Sequence, residues 1–529
     1  MQIRQGSVME RKWFLYMTGF FSGMSVMAIE LGASRLLAPY FSSSQIVWTV
    51  IIGTIMIAMA IGNVWGGRAA DKNPDPARLY ARLLLAAIWT AAIPFLGKYV
   101  IAGITALLAL FVTKNFLVVA SFASCIALFV FPLMLLGTVT PSLMKYATVN
   151  LSDNGRTVGE LEALGTIGSI IGTFLPTFVT IPTVGTARTF LIFAAILAAI
   201  SLIFFISRGK KIARTAVCFG LMTVLIFMPF SYSFAFWEKD LAFEGESVYN
   251  YLQVKETDDS VILSTNVAVG VQSIRMKAGG LTGMYYDYAL AAPVMAENAE
   301  SLLILGLGSG TFAEQCAAYF PGIDVTGVEI DGKIVDLSRE YFGLPDSVEA
   351  VVYDGRAYLR DAGLYDVIMV DAYQDITIPF QMSTVEFFTE VHEHLAPGGV
   401  MVVNMNMRSG EEGSINEYLC DTIASVFPAC ATVEVQSGTN MELFAGDDPE
   451  LFNNFAATVR AMDAADPLRA AMTRVSESLV PVSGGGLILT DDKAPVELLG
   501  MRVLDELIAG ELSYVRDALK NGSIMDLLG

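Results

Sequence analysis

The chain has 529 residues and a net charge of −20, and this charge is divided unevenly along it. Residues 1–237 carry 17 Lys and Arg against 7 Asp and Glu, whereas the remainder carries 16 against 46. The acidic second part lacks the basic footprint that nucleic-acid binding requires, so we expect no nucleic-acid partner. A chain of this length exceeds what one hydrophobic core usually supports, and we expect several domains.

Residues 1–237 are predicted to form a multi-pass transmembrane domain with seven or eight helices. Apolar segments of about 17 to 25 residues are long enough to cross a bilayer as helices. Seven such segments occur, at 13–33, 46–65, 80–96, 117–136, 161–181, 190–206 and 216–232. The shorter apolar stretch 99–112 is an eighth crossing, a re-entrant segment or an interfacial helix. We therefore expect a protein of the cell membrane with the lipid bilayer as a partner.

The number of crossings decides on which side of the membrane the acidic part lies. With seven crossings and a cytoplasmic N-terminus, the basic loops lie inside, as the positive-inside rule prefers, and the acidic part lies outside. With eight crossings the acidic part is cytoplasmic, but the basic segment 208–214 then lies on the outer side.

The predicted helix that covers 161–181 carries glycines at close intervals. Gly159, just before it, and Gly165, Gly168 and Gly172 within it give the small-residue spacing that lets transmembrane helices approach each other closely. We interpret these glycines as a helix-packing surface.

Residues 238–300 are predicted to form a small antiparallel β-domain. Segments 249–267 and 270–276 alternate apolar and polar residues, which is typical of half-exposed strands. Residues 301–529 are predicted to form an α/β domain. Five apolar runs, at 302–307, 324–330, 348–354, 366–372 and 398–406, are separated by helical patterns, which favours a parallel, doubly wound sheet.

A glycine-rich turn and three acidic strand ends predict a nucleoside pocket in this α/β domain. Gly306, Gly308 and Gly310 follow the first strand and let the backbone approach a ligand. Glu329 ends the second strand, nineteen residues after Gly310, where a carboxylate accepts hydrogen bonds from ribose hydroxyls. Asp354 and Asp371 end two further strands, and ligands of such sheets bind beyond the carboxyl ends of the strands.

The combination of these motifs resembles the spermidine synthase (aminopropyltransferase) family. The motifs that carry the resemblance are the small β-domain, the GLGSG turn, VEID, DGRAYL and VDA, in that order. The N-terminal ELGASRLLAPYF and WGGRAAD and the late LTDDKAPVE extend the resemblance to the membrane-fused branch of this family. The resemblance implies a class I methyltransferase-like, Rossmann-like fold that binds an S-adenosyl sulfonium nucleoside.

The resemblance also implies roles for individual residues. Asp371 matches the catalytic acid, which orients the attacking amine and accepts its proton; a carboxylate within hydrogen-bond reach of the amine is suited to both tasks. Gln272 and Tyr285 match positions that line the nucleoside and amine pockets, Glu329 matches the acid that binds ribose, and Asp354 matches the residue that contacts the adenine amine. We expect these residues and their neighbours to form a nucleoside set and an amine set. The nucleoside set is Gln272, Gly306, Gly308, Ser309, Gly310, Glu329, Asp354 and Gly355, and the amine set is Tyr285, Asp287, Tyr373, Gln374 and Asp375.

Two departures from the family pattern leave the reaction open. The glycine turn carries Ser309 where the family has an Asp that holds the ammonium of the aminopropyl group, and the acid after Asp371 is Asp375, four residues on instead of three. The leading hypothesis is transfer of an aminopropyl group from decarboxylated S-adenosylmethionine to a polyamine such as putrescine. The alternatives are a methyltransferase that uses intact S-adenosylmethionine on a small or lipid-borne acceptor, and a non-catalytic polyamine transporter or sensor.

Further expectations concern metals, assembly and the side of the membrane. The five cysteines show no CxxC spacing, so we expect no metal site. The resemblance leaves a homodimer open. S-adenosyl compounds are made in the cytoplasm, which favours a cytoplasmic catalytic domain. The charges of the loops favour the opposite side.

Overall fold

The computed structural model describes residues 12–148, 154–209, 211–228, 232–267, 271–296, 299–373, 378–406, 408–436 and 438–520. Contacts divide the chain into two compact units. The first comprises Met1–Phe236, Gly245–Val248 and Glu511–Gly529, and the second comprises Trp237–Glu244 and Tyr249–Gly510.

The first unit is helical. Its helices are α1 (Lys12–Phe41), α2 (Gln45–Lys72), α3 (Pro76–Ala109), α4 (Phe116–Cys125), α5 (Phe131–Gly137), α6 (Val139–Ala147), α7 (Asn154–Leu175), α8 (Ile181–Arg208) and α9 (Ile212–Phe227). Single π-helical turns, Ile126–Val130 and Pro176–Thr180, join α4 to α5 and α7 to α8.

Five helical stretches of the described residues are long and apolar enough to cross a membrane. They are Lys12–Phe41, Gln45–Lys72, Pro76–Ala109, Phe116–Ala147 and Asn154–Arg208. The predicted segments 161–181 and 190–206 both lie in the last stretch, which Gly185 interrupts with a φ of 82°. The short segment 99–112 begins inside α3, and 216–232 begins inside α9, which has 16 residues. The number of crossings stays a prediction.

The predicted glycine surface of α7 packs against α1 through Gly168 and Gly172, but Gly159 takes no part, because a Cβ atom there would meet nothing within 4 Å. A Cβ atom at Gly168 would overlap the carbonyl oxygen of Phe20, and one at Gly172 would overlap that of Met24. The two helices therefore approach at backbone distance along this line, as small residues at a helix contact permit.

The second unit begins with a four-stranded sheet in the order β1-β2-β3-β4. Its strands are β1 (Leu241–Glu246), β2 (Tyr251–Glu256), β3 (Ser260–Ser264) and β4 (Ser273–Met276), and β3 pairs antiparallel with both β2 and β4. Two short helices follow, α10 (Tyr285–Ala289) and α11 (Ala291–Met295).

The rest of the second unit is a Rossmann-like α/β fold. Its strands are β5 (Ser301–Leu305), β6 (Asp324–Glu329), β7 (Glu349–Val352), β8 (Tyr365–Val370), β9 (Leu395–Met405), β10 (Ala429–Glu434), β11 (Met441–Gly446) and β12 (Val480–Pro481). Its helices are α12 (Thr311–Tyr319), α13 (Gly332–Tyr341), α14 (Gly355–Arg360), α15 (Val385–Glu393), α16 (Ile415–Ala424), α17 (Leu451–Ala461) and α18 (Arg469–Ser478). Helix α19 (Val496–Lys520) belongs to this unit up to Gly510 and to the first unit from Glu511 onward.

The order of the eight strands is β12-β10-β11-β9-β8-β5-β6-β7. The strands from β9 to β7 are parallel, and β10 and β11 extend the sheet antiparallel to their neighbours. The chain moves outward from β5 to β7 and then returns to the other side of β5 with β8. Ligands of such sheets bind at this reversal, beyond the carboxyl ends of the strands.

Acidic side chains begin two helices at this edge. Asp331 Oδ1 accepts a hydrogen bond from the backbone N–H of Lys333 at 3.1 Å, and Asp354 Oδ1 accepts one from Ala357 at 2.8 Å. These are N-cap contacts, and they place both carboxylates at the carboxyl ends of β6 and β7.

Candidate active site

A cavity of about 340 Å³ lies at the carboxyl ends of the parallel strands in the second unit. This volume is in the range of sites that bind small molecules. It brings together most of the residues that the sequence analysis assigned to the site. Those lining it are Gln272, Tyr285, Gly306, Gly308, Glu329, Asp354, Gly355, Asp371 and Tyr373.

The glycine turn places backbone rather than side chains at the cavity. Gly306 has a φ of 99°, and a Cβ atom there would overlap the carbonyl oxygen of Asp371. Only glycine fits this position, because other residues rarely adopt such a φ and the space is taken. The turn therefore brings β5 and the end of β8 into direct contact.

Glu329 binds the backbone of the turn from the neighbouring strand. Its Oε2 accepts a hydrogen bond from Gly308 N at 3.0 Å, and its Oε1 accepts one from Asp331 N at 3.1 Å. Burial raises the pKa of Glu329, and the two backbone N–H groups oppose that rise. A carboxylate oxygen accepts more than one hydrogen bond, so Glu329 retains capacity for ligand hydroxyl groups.

Asp371 is held by two neutral donors. Tyr285 donates its O–H to Oδ2 at 2.6 Å, and Asn404 donates Nδ2–H to Oδ1 at 2.7 Å. Burial raises the pKa of Asp371 to about 7, while the hydrogen bonds from Tyr285 and Asn404 act in the opposite direction. Burial and the nearby Asp371 raise the pKa of Tyr285 well above its ordinary value, so its hydroxyl stays protonated as a donor. Asp371 is thus an oriented carboxylate whose protonation changes near neutral pH.

Asn404 was missed by the sequence analysis. It is the penultimate residue of β9, and its Oδ1 accepts a hydrogen bond from Asn440 Nδ2 at 2.8 Å. Asn406, Thr439 and Asn440 line the same end of the cavity. The strand itself was predicted, and the rule that selected Asp371 at a strand end also selects Asn404.

Tyr373 lines the same end of the cavity. Its hydroxyl donates to the carbonyl oxygen of Asn404 and accepts a hydrogen bond from Asn406 N at 2.8 Å. Burial raises the pKa of Tyr373, which keeps the hydroxyl protonated. The tyrosine therefore ties the segment after β8 to the end of β9.

Three of the predicted site residues do not line the cavity. Ser309 is buried, and its hydroxyl pairs with that of Thr311 at 2.9 Å. Asp287 accepts hydrogen bonds from Thr282, Gly283 and Gln315 and so fixes the loop before α10. Gly310 is part of the turn but does not line the cavity. Gln374 and Asp375 lie outside the described residues.

Asp491, in the late LTDDKAPVE motif, belongs to an ion-pair network. Arg356 of α14 donates to both Asp491 oxygens, at 2.8 and 3.0 Å, and to Glu390 of α15 at 2.8 Å. Thr384 donates to Asp491 at 2.7 Å. The network fixes the start of α14, directly after Asp354. Among the described residues, no group of three or more His, Cys, Asp or Glu side chains is placed to hold a metal ion.

Comparisons with known proteins show which family the chain is similar to. The spermine/spermidine synthase domain matches residues 285–437. A probable polyamine aminopropyl transferase of Bifidobacterium longum is 51% identical over 345 residues, which are 62% of this chain and 77% of that protein. A polyamine aminopropyltransferase of Vibrio vulnificus is 30% identical over 197 residues, covering 35% of this chain and 64% of that protein.

Among solved structures, a probable spermidine synthase from Corynebacterium glutamicum aligns with 47% of this chain and 99% of its own, with 22% identity and a TM-score of 0.36. The Bifidobacterium relative shows the family, since half of the aligned residues are identical over more than three quarters of its length. The chain belongs to the polyamine aminopropyltransferase (spermidine synthase) family of enzymes.

Proposed function

We propose that this protein transfers an aminopropyl group from decarboxylated S-adenosylmethionine to a polyamine such as putrescine. The observation that carries the proposal is the Asp371 carboxylate, held at the cavity wall by Tyr285 and Asn404. Such a group orients an amine and accepts its proton. Membership of a family of enzymes argues against a non-catalytic transporter or sensor.

In this proposal the nucleoside occupies the part of the cavity between Glu329 and Asp354. Glu329 accepts hydrogen bonds from the ribose hydroxyls, and Asp354 accepts one from the adenine amine. Gln272 lines the same cavity with Gly306 and Gly308, whose lack of side chains leaves room for the ligand. The sulfonium centre then lies near Asp371, whose negative charge favours a cation.

The reaction is a displacement at carbon. The amine nitrogen uses its lone pair to form a C–N bond with the aminopropyl carbon, and the C–S bond breaks with its electron pair left on sulfur. The sulfonium becomes a neutral thioether, and the new ammonium loses a proton to Asp371. A carboxyl group whose pKa is about 7 accepts and then releases this proton near neutral pH.

The amine acceptor is proposed to lie at the end of the cavity formed by Tyr285, Tyr373 and Asn404. Gln374 and Asp375 directly follow Tyr373 in the chain, and we propose that they contact the amine. Asp287 is proposed to fix the loop before Tyr285 and not to contact the amine. Its oxygens already accept hydrogen bonds from that loop and from Gln315.

Methyl transfer from intact S-adenosylmethionine is a second candidate, favoured by one observation. The glycine turn carries Ser309, whose hydroxyl pairs with Thr311, and so supplies no carboxylate for a free ammonium arm. Intact S-adenosylmethionine has a zwitterionic arm, which a carboxylate at that place would repel.

We further propose that the helical unit anchors the enzyme in the cell membrane. Large apolar side chains on α2 are exposed, including Met56, Ile57 and Ile61, whose exposed fractions are 66%, 58% and 49%. An apolar surface of this kind suits lipid. We propose a cytoplasmic catalytic unit, because its nucleoside substrate is made there.

A product assay tests the proposed reaction. The purified full chain in detergent is incubated with putrescine and either decarboxylated or intact S-adenosylmethionine, and products are identified by mass spectrometry. Spermidine formed only with the decarboxylated donor supports aminopropyl transfer. A methylated acceptor formed with intact S-adenosylmethionine, without spermidine, would replace the proposal by the second candidate.

A further inference from the structure

Glu442 is a fully buried carboxyl group to which the proposed reaction gives no role. It is the second residue of β11, and its side chain has no measurable exposure. Neither of its carboxyl oxygens has a hydrogen-bond partner among the described residues. A buried carboxyl group without a partner is costly, so its presence calls for a physical explanation.

The register of the sheet places Glu442 beside the groups that hold Asp371. β11 runs antiparallel to β9, and Glu442 lies directly opposite Asn404. Residues directly opposite each other in such a pair project to the same face, with Cβ atoms about 5 Å apart. Asn440, two residues before Glu442, shares this face and donates to Asn404. Glu442 is therefore adjacent to the amide that binds the proposed base.

The elements packed against β11 are β9, β10, α10 and α16. Val433 of β10 lies opposite Glu442 on the side away from β9. None of the titratable groups that these elements and the end of β8 contribute is cationic among the described residues. Those groups are Asp371, Tyr373, Tyr285, Tyr286, Asp287, Tyr288, Glu417, Tyr418, Cys420, Asp421, Cys430 and Glu434. Among the described residues of these elements, no cationic side chain is therefore present to balance a charge on Glu442.

Burial raises the pKa of Glu442 well above its ordinary value, and the nearby Asp371 raises it further. Burial without a partner thus favours the uncharged form of Glu442 while no cation is close. A cation within a few ångströms favours the ionised form of a carboxyl group, and the effect is strong in a site shielded from water.

The acceptor end of the cavity, next to Asn404 and Asn440, is lined by neutral polar groups. Asn404, Asn406, Thr439 and Asn440 line it and offer amides and a hydroxyl. A diamine acceptor carries a second nitrogen besides the attacking one, and this nitrogen is a protonated ammonium at neutral pH. Neutral groups orient an ammonium by hydrogen bonds but do not balance its charge.

We propose that Glu442 is the counter-charge for the distal ammonium of a diamine acceptor, uncharged in the empty site and ionised when the diamine is bound. On binding, the O–H bond of Glu442 breaks, the electron pair stays on oxygen, and the proton leaves to the buffer. This makes Glu442 a specificity-determining residue that acts across Asn404 and Asn440. The inference rests on the proposed function and names its acceptor class as amines with a second positive charge.

Calorimetric titration of the full chain in detergent with putrescine tests this inference without turnover. Measurement at one pH near 7 in two buffers of different ionisation enthalpy gives the number of protons released on binding. We expect the wild type to release about one proton more than Glu442→Gln for each putrescine bound. With 4-aminobutanol, which replaces the distal ammonium by a hydroxyl group, we expect no such difference.

In the transfer assay we expect Glu442→Gln to raise the KM for putrescine about tenfold and to change kcat much less, about the effect of one lost charge contact. The control is Glu434→Gln on the neighbouring β10, an exposed glutamate paired with Arg408, which should match the wild type. Glu442→Met, which is also uncharged, serves as a second variant and should give the same results as Glu442→Gln.

Equal proton release by the wild type and both Glu442 variants, together with an unchanged KM for putrescine, would overturn the inference and leave the proposed function intact. Diamine binding that depends on Glu442, without any transfer product, would instead overturn the proposed function alone. Absence of putrescine binding to the wild type would overturn both.

Discussion

The chemistry proposed for this enzyme depends on three side chains that meet at one point: Asp371, Tyr285 and Asn404. Each is presented by a different element, the end of β8, α10 and the end of β9. Both carboxylate oxygens are occupied by neutral donors, which fixes the orientation of the carboxylate without neutralising it. The environment therefore sets both the direction in which Asp371 accepts a proton and the pH at which it does so.

The rate should depend on pH through Asp371. A base must be ionised to accept a proton, and burial raises the pKa of this carboxyl to about 7. We expect kcat to rise with pH through about 7 and then to level off. Tyr285→Phe removes a hydrogen bond that lowers the pKa, so the rise should move to higher pH. Initial rates at saturating substrate between about pH 6 and 9 measure this shift.

The matched control for that experiment is Tyr288→Phe, on the same helix. The Tyr288 hydroxyl accepts a hydrogen bond from Gln436 N, whereas the Tyr285 hydroxyl donates to the Asp371 carboxylate. Its pH profile should follow that of the wild type. A Tyr285→Phe profile that also coincides with the wild type would show that the Tyr285 hydroxyl does not influence the base.

For single residues, the sequence predicts the site residues that lie at strand ends. It does not predict those whose position depends on how the strands pair. Gly306, Glu329, Asp354 and Asp371 follow from the rule that ligands bind at strand ends. Glu442 has no such signal, because only the register of β11 against β9 places it beside Asn404. Ser309 was expected at the nucleoside site, but its hydroxyl turns to Thr311, a local hydrogen bond that spacing does not reveal.

Among the elements, the contact between α1 and α7 depends on glycine. We expect Gly168→Leu to destabilise the helical unit, because any side chain there meets the backbone of Phe20. Overpacking of this kind costs about 1–3 kcal/mol or more. Thermal unfolding of the full chain in detergent measures the loss.

Gly159→Leu provides the comparison, since Gly159 is on the same helix and a Cβ atom there meets nothing within 4 Å. Its unfolding temperature should be close to that of the wild type. Equal unfolding temperatures for the Gly168 and Gly159 variants would contradict the close approach of α1 and α7.

The Arg356 network holds α14, α15 and the loop before α19 together. The Arg356 side chain is only 9% exposed, so Arg356→Ala leaves Glu390 and Asp491 without their shared partner. Glu390 and Asp491 are partly exposed, so we expect a loss between the about 1 kcal/mol of a surface pair and the about 3–5 kcal/mol of a fully buried one. Because α14 begins next to Asp354, we also expect weaker binding of the nucleoside.

Urea unfolding and nucleoside titration measure the two effects of Arg356→Ala. Arg360→Ala removes an arginine of the same helix that is 62% exposed and lies 3.7 Å from Glu390, and it should change stability by less than about 1 kcal/mol. If the two variants lost equal stability, the central place of Arg356 in the network would be refuted.

Among the elements, the sequence predicted the five parallel strands well, because each is a short apolar run between helical patterns. It did not predict that β10 and β11 extend the sheet antiparallel to β9, since pairing partners are not encoded in local periodicity. The stretch 99–112 was treated as separate from 80–96, whereas α3 continues through Gly97 and Lys98 without a break. Neither residue imposes a turn when neighbouring helices pack around them.

On the scale of the whole molecule, the sharp change in composition near residue 237 coincides with the boundary between the helical unit and the α/β unit. The apolar composition before this residue suits the lipid contact proposed above, and the polar composition after it suits water. Composition does not predict the side of the membrane on which the α/β unit lies. That side depends on the number of crossings, and the charges of the loops and the lengths of the helices favour different numbers.

Reporter fusions at the C-terminus determine that side. We expect a reporter that is active only in the cytoplasm to be active, and one that is active only outside to be silent. The opposite pattern would place the nucleoside site on the side where its proposed substrate is not made and would count against the proposed reaction.

The central claim is that Asp371 acts as the base in transfer of an aminopropyl group. The most direct measurement compares spermidine formation from decarboxylated S-adenosylmethionine and putrescine by the wild type, Asp371→Asn and Asp361→Asn. We predict that Asp371→Asn lowers kcat about 10²–10⁴-fold and that Asp361→Asn, an exposed aspartate, leaves it unchanged. Spermidine formation by Asp371→Asn at the wild-type rate would contradict the account.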